Sequence, residues 1–470
     1  MAGTFIIGEQ KVRPGAYFNV QKNGGDATTS TINGVTAVVF RSDFGPLGKA
    51  VELSAQNGYK NTYGDGMTTD AIQEAFNGGA NTVIACRLGE GGTEGHVILR
   101  NEDGEDVVKI TNLYPGEMGL TVTVREKLTN KNIKECIIFN GESQFDKVEF
   151  AAGDDEVAAL VAAFSESGKF SVQAVSGEVK GKIEIVSQKE FEKGTNPTIT
   201  VADYSNAFEL LEEYTFNTIC VDTEDTSIHA MLQNFVKRIY EDGILALAVV
   251  AEKHTVDIDA RISHAAAFND DQMHYVLNAH IDEQGTEIDG YQTAARIAGM
   301  IGSYASNISL THKVVDGFAS LLERLKPSVI TNAEQNGCIV LSMNSKKQVW
   351  IDSAINTLIT PEASQDEGWK KIRRVKTRFE LMRRANDVAD YLVGAVDGDT
   401  NGIATVISQL NSVVKDMISE GKLQSGTVTE STAYPADVDY AFFDFDIVDK
   451  DSLEHIYMTY RFQFNTQTEE

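Results

Sequence analysis

The chain has 470 residues, of which 42% are hydrophobic and 8% aromatic, a length and composition that allow two to four globular domains with ordinary cores. Its formal net charge of −28 disfavours DNA or an anionic membrane as a partner. No apolar stretch approaches the roughly 18 residues of a membrane span, and the first residues lack the charged segment of a secretory signal, so neither is expected.

The four cysteines are far apart in the sequence. Cys86, Cys220 and Cys338 lie inside apolar, strand-like runs, and Cys136 begins another predicted strand. We therefore expect buried thiols rather than disulfides or a metal site.

The N-terminal region begins with a short β-prone segment at residues 16–20, which contains Tyr17, Phe18 and Val20. A polar, glycine-bearing arm follows at residues 21–30, and a strand so short buries little surface by itself. Buried strands are then predicted at residues 35–40 and 82–88, around a helix that begins near residue 69. Strand, helix and strand in this order indicate a parallel pair.

A separate, mostly β domain is predicted at residues 91–198. A glycine-rich stretch at residues 89–95 precedes it, and Lys-Gly-Thr-Asn-Pro at residues 193–197 closes it. Short strands are expected at residues 107–110, 120–124, 136–139, 171–175 and 182–186, with one helix near residues 154–164.

From residue 202 onward the sequence alternates between helical and strand patterns again. Helices are predicted near residues 204–213, 227–241, 258–268, 290–304 and 317–325, and strands at residues 216–221, 244–250, 273–277 and 338–341. This alternation predicts a doubly wound α/β layer, completed by the two strands that precede the insertion. The predicted division is an N-terminal arm (1–30), a first α/β segment (31–90), the inserted domain (91–198), a central α/β domain (199–345) and a C-terminal α+β domain (346–470).

A long helix predicted at residues 368–393 carries many cations. Its apolar positions follow helical steps of three, four and three, which would place most Lys and Arg side chains on the outward side. Like charges at this spacing repel each other, so the pattern indicates either a solvated face or contact with an acidic partner surface. Nucleic acid is disfavoured because no aromatic residues are interleaved for stacking. The cations in question include Lys370, Lys371, Arg373, Arg374 and Arg378.

After a further helix at residues 403–418, the chain ends in two strand patterns, at residues 438–447 and 456–464, joined by a polar turn at residues 449–452. The second alternates regularly, and the first changes face between Phe442 and the next residue, as a β-bulge would allow. A lone hairpin is marginal in water, so further strands are expected beside it, from this chain or from another copy. The predicted strand-pairing residues here are Val438, Tyr440, Phe442, Ile456, Met458, Tyr460 and Phe462.

Motifs for catalysis and ligand binding are weak throughout. His254, His264, His274 and His280 lack a compact metal-ligand spacing, and residues 397–402 imitate a calcium loop but have Ser408 where a glutamate should close it. There is no phosphate-binding loop, dinucleotide fingerprint or nucleophile elbow. We expect no enzymatic activity and no cofactor.

Short motifs in a consistent order carry a family resemblance. They are Arg-Pro-Gly-Ala-Tyr-Phe-Asn at residues 13–19, Gly-Val-Thr-Ala at 34–37, Phe-Gly-Pro at 44–46, Phe-Asn-Gly-Gly-Ala-Asn-Thr-Val at 76–83, Asn-Thr-Leu at 356–358, and residues 455–464. In this order and spacing the chain resembles the tail sheath proteins of contractile-tailed bacteriophages and phage-like bacteriocins. The resemblance implies a subtilisin-like central sheet without a working catalytic triad.

The resemblance also implies an assembly. Copies would stack as hexameric rings around an inner tail tube, and the strands at residues 16–20 and within 456–464 would add to a neighbour's sheet that includes residues 438–447. The implied partners are other copies, the tube protein, the baseplate and the tail terminator, in a virion tail or phage-like particle assembled in the bacterial cytoplasm. The basic helix is expected to face the tube. The competing hypotheses are an α/β enzyme or a monomeric binding module, whose terminal strands would pair within one molecule, and a tube protein, which is usually much shorter.

Overall fold

The computed structural model describes residues 34–56, 58–175, 181–437 and 439–462, and the backbone alone of residues 3–4 and 17–18. The first α/β segment supplies strands that pair with later parts of the chain, as predicted. The N-terminal arm contains β1 (Gly3–Thr4) and β2 (Tyr17–Phe18), and the first α/β segment contains β3 (Val35–Phe40), β4 (Ala50–Leu53), α1 (Gly58–Tyr63), α2 (Asp70–Asn77) and β5 (Thr82–Arg87).

The next region folds into two antiparallel sheets. Its elements are β6 (His96–Arg100), β7 (Asp106–Asn112), β8 (Leu120–Lys127), β9 (Asn130–Asn140), β10 (Ser143–Ala151), α3 (Glu156–Ala163), β11 (Phe170–Ala174) and β12 (Val186–Glu190). One sheet has the order β10-β9-β8-β12 and the other β11-β7-β6. The mostly β character expected of this stretch is confirmed, although the strand predicted at residues 182–186 begins only at its last residue.

The remaining α/β elements complete the central layer. They are α4 (Val201–Leu211), β13 (Thr218–Val221), α5 (Thr226–Glu241), β14 (Leu247–Ala251), α6 (Ile258–Phe268), β15 (Met273–Val276), β16 (His280–Asp282), β17 (Glu287–Ile288), α7 (Tyr291–Ser303), β18 (Phe318–Leu321), α8 (Pro327–Gln335) and β19 (Cys338–Ile339). A seven-stranded sheet has the order β19-β15-β14-β13-β3-β5-β4, in which only β4 runs antiparallel to its neighbour.

Apolar side chains cover both faces of this sheet. Alternate residues of β3 point to opposite sides, so that Val38 and Phe40 join one core with helices α2 and α7, while Ala37 and Val39 join the other with α4 and α5. Parallel strands buried on both faces read as continuous hydrophobic runs. For this reason the doubly wound layer could be predicted from the sequence.

The C-terminal region begins with the hairpin β20 (Leu341–Met343) and β21 (Val349–Ile351), followed by a short 3-10 helix (Glu367–Lys370), α9 (Ile372–Leu392), α10 (Thr400–Ser419), β22 (Leu423–Glu430) and β23 (Phe443–Asp449). Helix α9 serves two cores. Ile372, Val375 and Phe379 pack under the central sheet, whereas Leu381 and Ala385 pack against α10 and β22.

Sequence predictions of secondary structure are wrong at residues 317–325 and at the terminal hairpin. The helix expected at residues 317–325 is strand β18, which pairs with β16 across an irregularity that turns Phe318 and Leu321 to the same side, and this spacing of three imitates a helical period. The terminal hairpin is also different. Strand β23 pairs with β22, and residues 450–462 have no regular secondary structure, while residues 463 and 464 of the predicted second strand lie outside the described residues.

Phe44 links the first α/β segment to the inserted sheets. It is fully buried in the insert's core, where its ring meets those of Tyr114 and Phe145 edge-on at 5.5 Å and 5.2 Å. Arg87 fixes the loop around it by donating to the carbonyl oxygens of Gly45 (2.6 Å) and Pro115 (2.8 Å).

Phe44→Ala is expected to destabilise the protein by about 3–5 kcal/mol, because it leaves a cavity at the centre of an aromatic cluster. Thermal denaturation followed by circular dichroism measures the effect. Phe462→Ala is the matched control, since Phe462 is exposed and its truncation should leave the melting temperature of the monomer unchanged. Equal melting temperatures for the two variants would contradict the role given to Phe44.

Candidate functional site

Doubly wound folds bind ligands at the carboxyl edge of the central sheet, at the point where the strand order changes direction. In this chain that point lies between β3 and β13. The buried Asp222 occupies it and accepts hydrogen bonds from Arg41 Nε (2.7 Å), Tyr204 Oη (2.8 Å) and Thr68 Oγ1. Burial, together with the Asp222 charge, raises the pKa of the Tyr204 hydroxyl and keeps it a donor. The protein's own side chains therefore fill this crevice.

The four histidines close in sequence do not form one cluster. His254 Nδ1 lies 2.6 Å from Asp289, and His264 Nδ1 lies 2.8 Å from Glu252. His274 and His280 are buried in strands, and burial lowers the pKa of His274 to about 4. Among the described residues, no group of three or more His, Cys, Asp or Glu side chains is arranged to hold a metal ion.

The calcium-like stretch and the cysteines have structural roles. Asp399 caps helix α10 by accepting hydrogen bonds from the backbone N–H groups of Asn401 (2.9 Å) and Gly402 (2.8 Å). All four cysteines are buried free thiols, as predicted.

In the part of the chain that the structure describes, no helix is long and apolar enough to cross a bilayer.

The basic stretch does not form an outward cationic face, and that prediction is wrong. The apolar positions of α9 are buried as expected, but the cations between them are buried or half-buried too. Lys376 donates to the carbonyl oxygens of Ile301 and Tyr304 at the end of α7, and burial lowers its pKa to about 7. Arg383 donates to the carbonyl of Leu245.

Each of the five cations singled out from the sequence is either buried or paired with a carboxylate of the same chain. Arg373 is buried, and Lys370 pairs with Glu367 at 2.8 Å. Lys371, Arg374 and Arg378 meet carboxylates that are distant in sequence. Because these acids lie far along the chain, a count of charges within residues 368–384, where Glu380 is the one acid, misses the compensation.

Arg374 and Arg378 converge on one buried carboxylate, Asp449, at the end of β23. Arg374 Nε lies 2.9 Å and Arg378 Nε 3.1 Å from Asp449 Oδ2, and the Asp449 side chain is 6% exposed. Asp366 lies 3.6 Å and 3.5 Å from the same two guanidinium groups, and Trp369 packs beneath Arg378 at 4.3 Å. Two arginines and two aspartates thus form a closed charge cluster.

Lys371 holds the next part of the chain. Its Nζ lies 2.6 Å from Asp451 and 3.1 Å from Glu454. Glu454 Oε1 also accepts hydrogen bonds from Ser309 and Thr311, both at 3.1 Å. Burial alone would raise the pKa of Glu454, but hydrogen bonds from Ser452 and Ser309 and the charge of Lys371 lower it, so the carboxylate stays ionised.

The hairpin β22–β23 packs one face on α10. Phe443, Phe445 and Ile447 point toward this small core, while Asp444 and Asp446 are exposed on the opposite face. Within the described residues the sheet has only these two strands. A two-stranded sheet leaves two outer edges.

The two edges differ. On β22 the side chain of Asn411 bonds both backbone groups of Val428, donating to its C=O (2.8 Å) and accepting from its N–H (3.0 Å). Val428 is paired with Phe445, so the ladder's alternation turns the backbone groups of Phe445 toward the outer edge of β23. The side chain of Asn411 therefore occupies the edge of β22 at Val428, and among the described residues no strand pairs with the outer edge of β23.

Past residue 454 the chain carries large apolar side chains into solvent. Ile456, Met458, Tyr460 and Phe462 are 67–82% exposed, and Tyr457 is 92% exposed. Contiguous exposed apolar side chains of this kind mark an interaction segment.

The other predicted pairing residues are only partly described. Tyr17 and Phe18 lie in β2, which pairs in parallel with β1 of the same chain. Tyr440 closes a turn with Asp437, and the carbonyl of Phe442 accepts a hydrogen bond from Ser431 N–H (2.8 Å). The change of face at Phe442 is thus a strand beginning, not a bulge. Val20 and Val438 lie outside the described residues.

Residues 198–357 match the family model of the phage tail sheath protein central domain. The chain carries a tail sheath domain. This domain covers β13, β14, β15 and β19 of the central sheet, and the strands that precede the insertion complete it.

Proteins of Bacillus subtilis (strain 168) resemble this sheath-domain chain over most of their length. YqbK is 24% identical over 436 residues, covering 88% of this chain and 90% of YqbK. The phage-like element PBSX protein XkdK is 23% identical over 386 residues, covering 80% and 79% respectively.

Solved structures share the fold. A sheath tail protein from Listeria innocua superposes with a TM-score of 0.66 at 19% identity, covering 89% of this chain and 96% of the other. The helical sheath of the anti-feeding prophage in its contracted state gives a TM-score of 0.52 at 10% identity, with coverage of 96% and 99%. The fold of this chain is thus that of sheath proteins, including a contractile one.

Proposed function

We propose that this chain is the structural subunit of a contractile tail sheath, in which copies form hexameric rings stacked helically around an inner tail tube. The observation that carries the proposal is the pairing of two features in one molecule: an available edge on β23 and an exposed apolar segment at residues 456–462. Each is costly in a monomer, and each complements the other in a neighbouring copy.

The proposed strand exchange specifies which segment of one copy pairs with which strand of the next. Residues 456–462 of one copy add to β23 of the next, placing Ile456, Met458 and Tyr460 over the apolar face and Arg461 beside the exposed Asp444 and Asp446. Residues Tyr17, Phe18 and Val20 form the N-terminal counterpart. Each main-chain hydrogen bond contributes a net of roughly 0.5–1.5 kcal/mol, so one strand can hold two copies together while their bodies rotate.

The sheath would contract without a nucleotide, from a metastable extended lattice, and push the tube through the envelope of the target cell. Its partners would be other copies, the tube, the baseplate and the tail terminator, and its location a virion tail or phage-like particle assembled in the bacterial host cytoplasm. The likeness to a contracted sheath supports this proposal. The five-part division made from the sequence also stays a proposal. The separate cores of the inserted sheets and of the C-terminal hairpin support two of its parts, whereas the first α/β segment and the central domain share their cores.

Contact between the basic helix and the tube stays a prediction. Helix α9 does not, however, present the outward cationic face from which that contact was inferred. Lys370, Lys371, Arg374 and Arg378 pair with acids of the same chain, and Arg373 is buried. An electrostatic attraction to an acidic tube would have to come from elsewhere on the surface.

Negative-stain electron microscopy of the purified full-length chain, alone and with its tube protein, tests the proposal. Long hollow cylinders with six-fold end views are expected. A sharp monomer at every concentration, with and without the tube, would instead favour a monomeric binding module or an enzyme.

A further inference from the structure

The C-terminal segment is bound to the rest of the molecule at residues 449–454, whereas residues 455–462 are exposed. Asp449, Asp451 and Glu454 all bind cations of the 3-10 helix and α9 region, and Glu454 also binds hydroxyl groups of the loop that follows α7. From residue 455 to residue 462 the side chains are exposed. The boundary between held and unheld chain therefore falls at one place, directly after Glu454.

The cations that hold this segment are themselves fixed to the central layer. Helix α9 packs under the central sheet through Ile372 and Val375, and Lys376 binds the last carbonyls of α7. A force on residues 449–454 is thus transmitted to the central sheet through α9 as well as to the small hairpin core.

We propose that Lys371, Arg374 and Arg378 form a clamp that fixes residues 449–454 and so sets the direction in which residues 455–462 leave the molecule toward a neighbouring copy. The inference rests on the proposed sheath function and names residues that position the exchanged strand. A strand that must reach one particular edge gains from a fixed point of departure, because each residue of free chain lowers its effective concentration at that edge.

The Lys371 part of the clamp is too exposed to act mainly on global stability, unlike the pairs that Arg374 and Arg378 form with the buried Asp449. The Lys371 side chain is 26% exposed and Asp451 32% exposed, and pairs at such sites contribute little to unfolding free energy. A positioning role therefore predicts large effects on the segment and on assembly, with small effects on the melting temperature.

Limited proteolysis of the monomer measures how firmly the clamp holds residues 449–454. Trypsin can cut after Lys450, inside the held segment, and after Arg461, in the exposed one. Lys371→Met is expected to speed cleavage after Lys450 by about tenfold while leaving cleavage after Arg461 unchanged, because proteolysis follows the population of the open form. Lys370→Met is the matched control, since among the described residues the ion pair of Lys370 is with the exposed Glu367, and its loss should change neither rate.

Assembly is the second readout. Lys371→Met is expected to lower the yield of sheaths several-fold, and the exchange of charges in Lys371→Glu with Glu454→Lys is expected to restore part of that yield. Unchanged cleavage after Lys450 in Lys371→Met would overturn the clamp, and faster cleavage with undiminished assembly would overturn its positioning role. A wild-type chain that forms no sheaths would instead overturn the proposed function, while the proteolysis result would still judge the clamp.

Discussion

Removal of residues 455–470 is expected to abolish sheath assembly and to leave the stability of the monomer unchanged. Among the described residues, 455–462 are exposed side chains without regular secondary structure, so their loss costs the isolated fold little. In the assembly the same residues would supply a whole strand to β23 of a neighbour. Sheath yield by electron microscopy and melting temperature by circular dichroism measure the two effects.

A pair of matched triple variants distinguishes a strand from an unspecific apolar tail. If the segment is a strand, Ile456, Met458 and Tyr460 face the neighbour's core, and changing all three to Ser should prevent assembly. Changing Tyr457, Thr459 and Arg461 to Ser alters the opposite face and should weaken assembly less. Similar losses in both variants would contradict a strand, and a lower melting temperature for the truncated monomer would mean that the segment folds back on its own body.

The sequence predicts the central layer well and the C-terminal assembly surface poorly, for physical reasons. Strands such as β3 and β14 are buried on both faces, so their residues are almost all apolar and the pattern is unambiguous. Strand β22 reads Leu-Gln-Ser-Gly-Thr-Val-Thr-Glu and buries only Leu423 and Val428. No local pattern marks it as the partner of β23.

The charges of α9 illustrate the same limit. The helical period correctly places its apolar side, but whether the other side meets water depends on acids 71 to 83 residues further along the chain. Asn411 is a second example, because a single polar residue within α10 gives no sign that it will cap the edge of β22. Pairings of this kind become visible only when the elements are placed together.

Glu380→Ala is expected to destabilise the protein by about 3–5 kcal/mol, the second large effect, because it leaves a buried charge without its partner. Glu380 is 4% exposed and binds Lys422 Nζ with both oxygens at 3.0 Å, Ser306 Oγ at 2.6 Å and Arg384 at 3.2 Å. Lys422 is 3% exposed and cannot turn to water without opening the core between α9 and the hairpin. Denaturant unfolding followed by the fluorescence of Trp369, which is buried beside the start of α9, measures the loss.

The double variant Glu380→Leu with Lys422→Met separates the two causes of that loss. If the cost comes from the unpaired charge, removing both charges with side chains of similar volume should restore most of the stability, as replacement of buried ion pairs often does. If the double variant is as unstable as Glu380→Ala, the hydrogen bonds to Ser306 and Arg384 carry the energy instead. Since Glu380 joins the loop after α7 to the hairpin, that second result would make it a structural link between the central layer and the surface on which copies would meet.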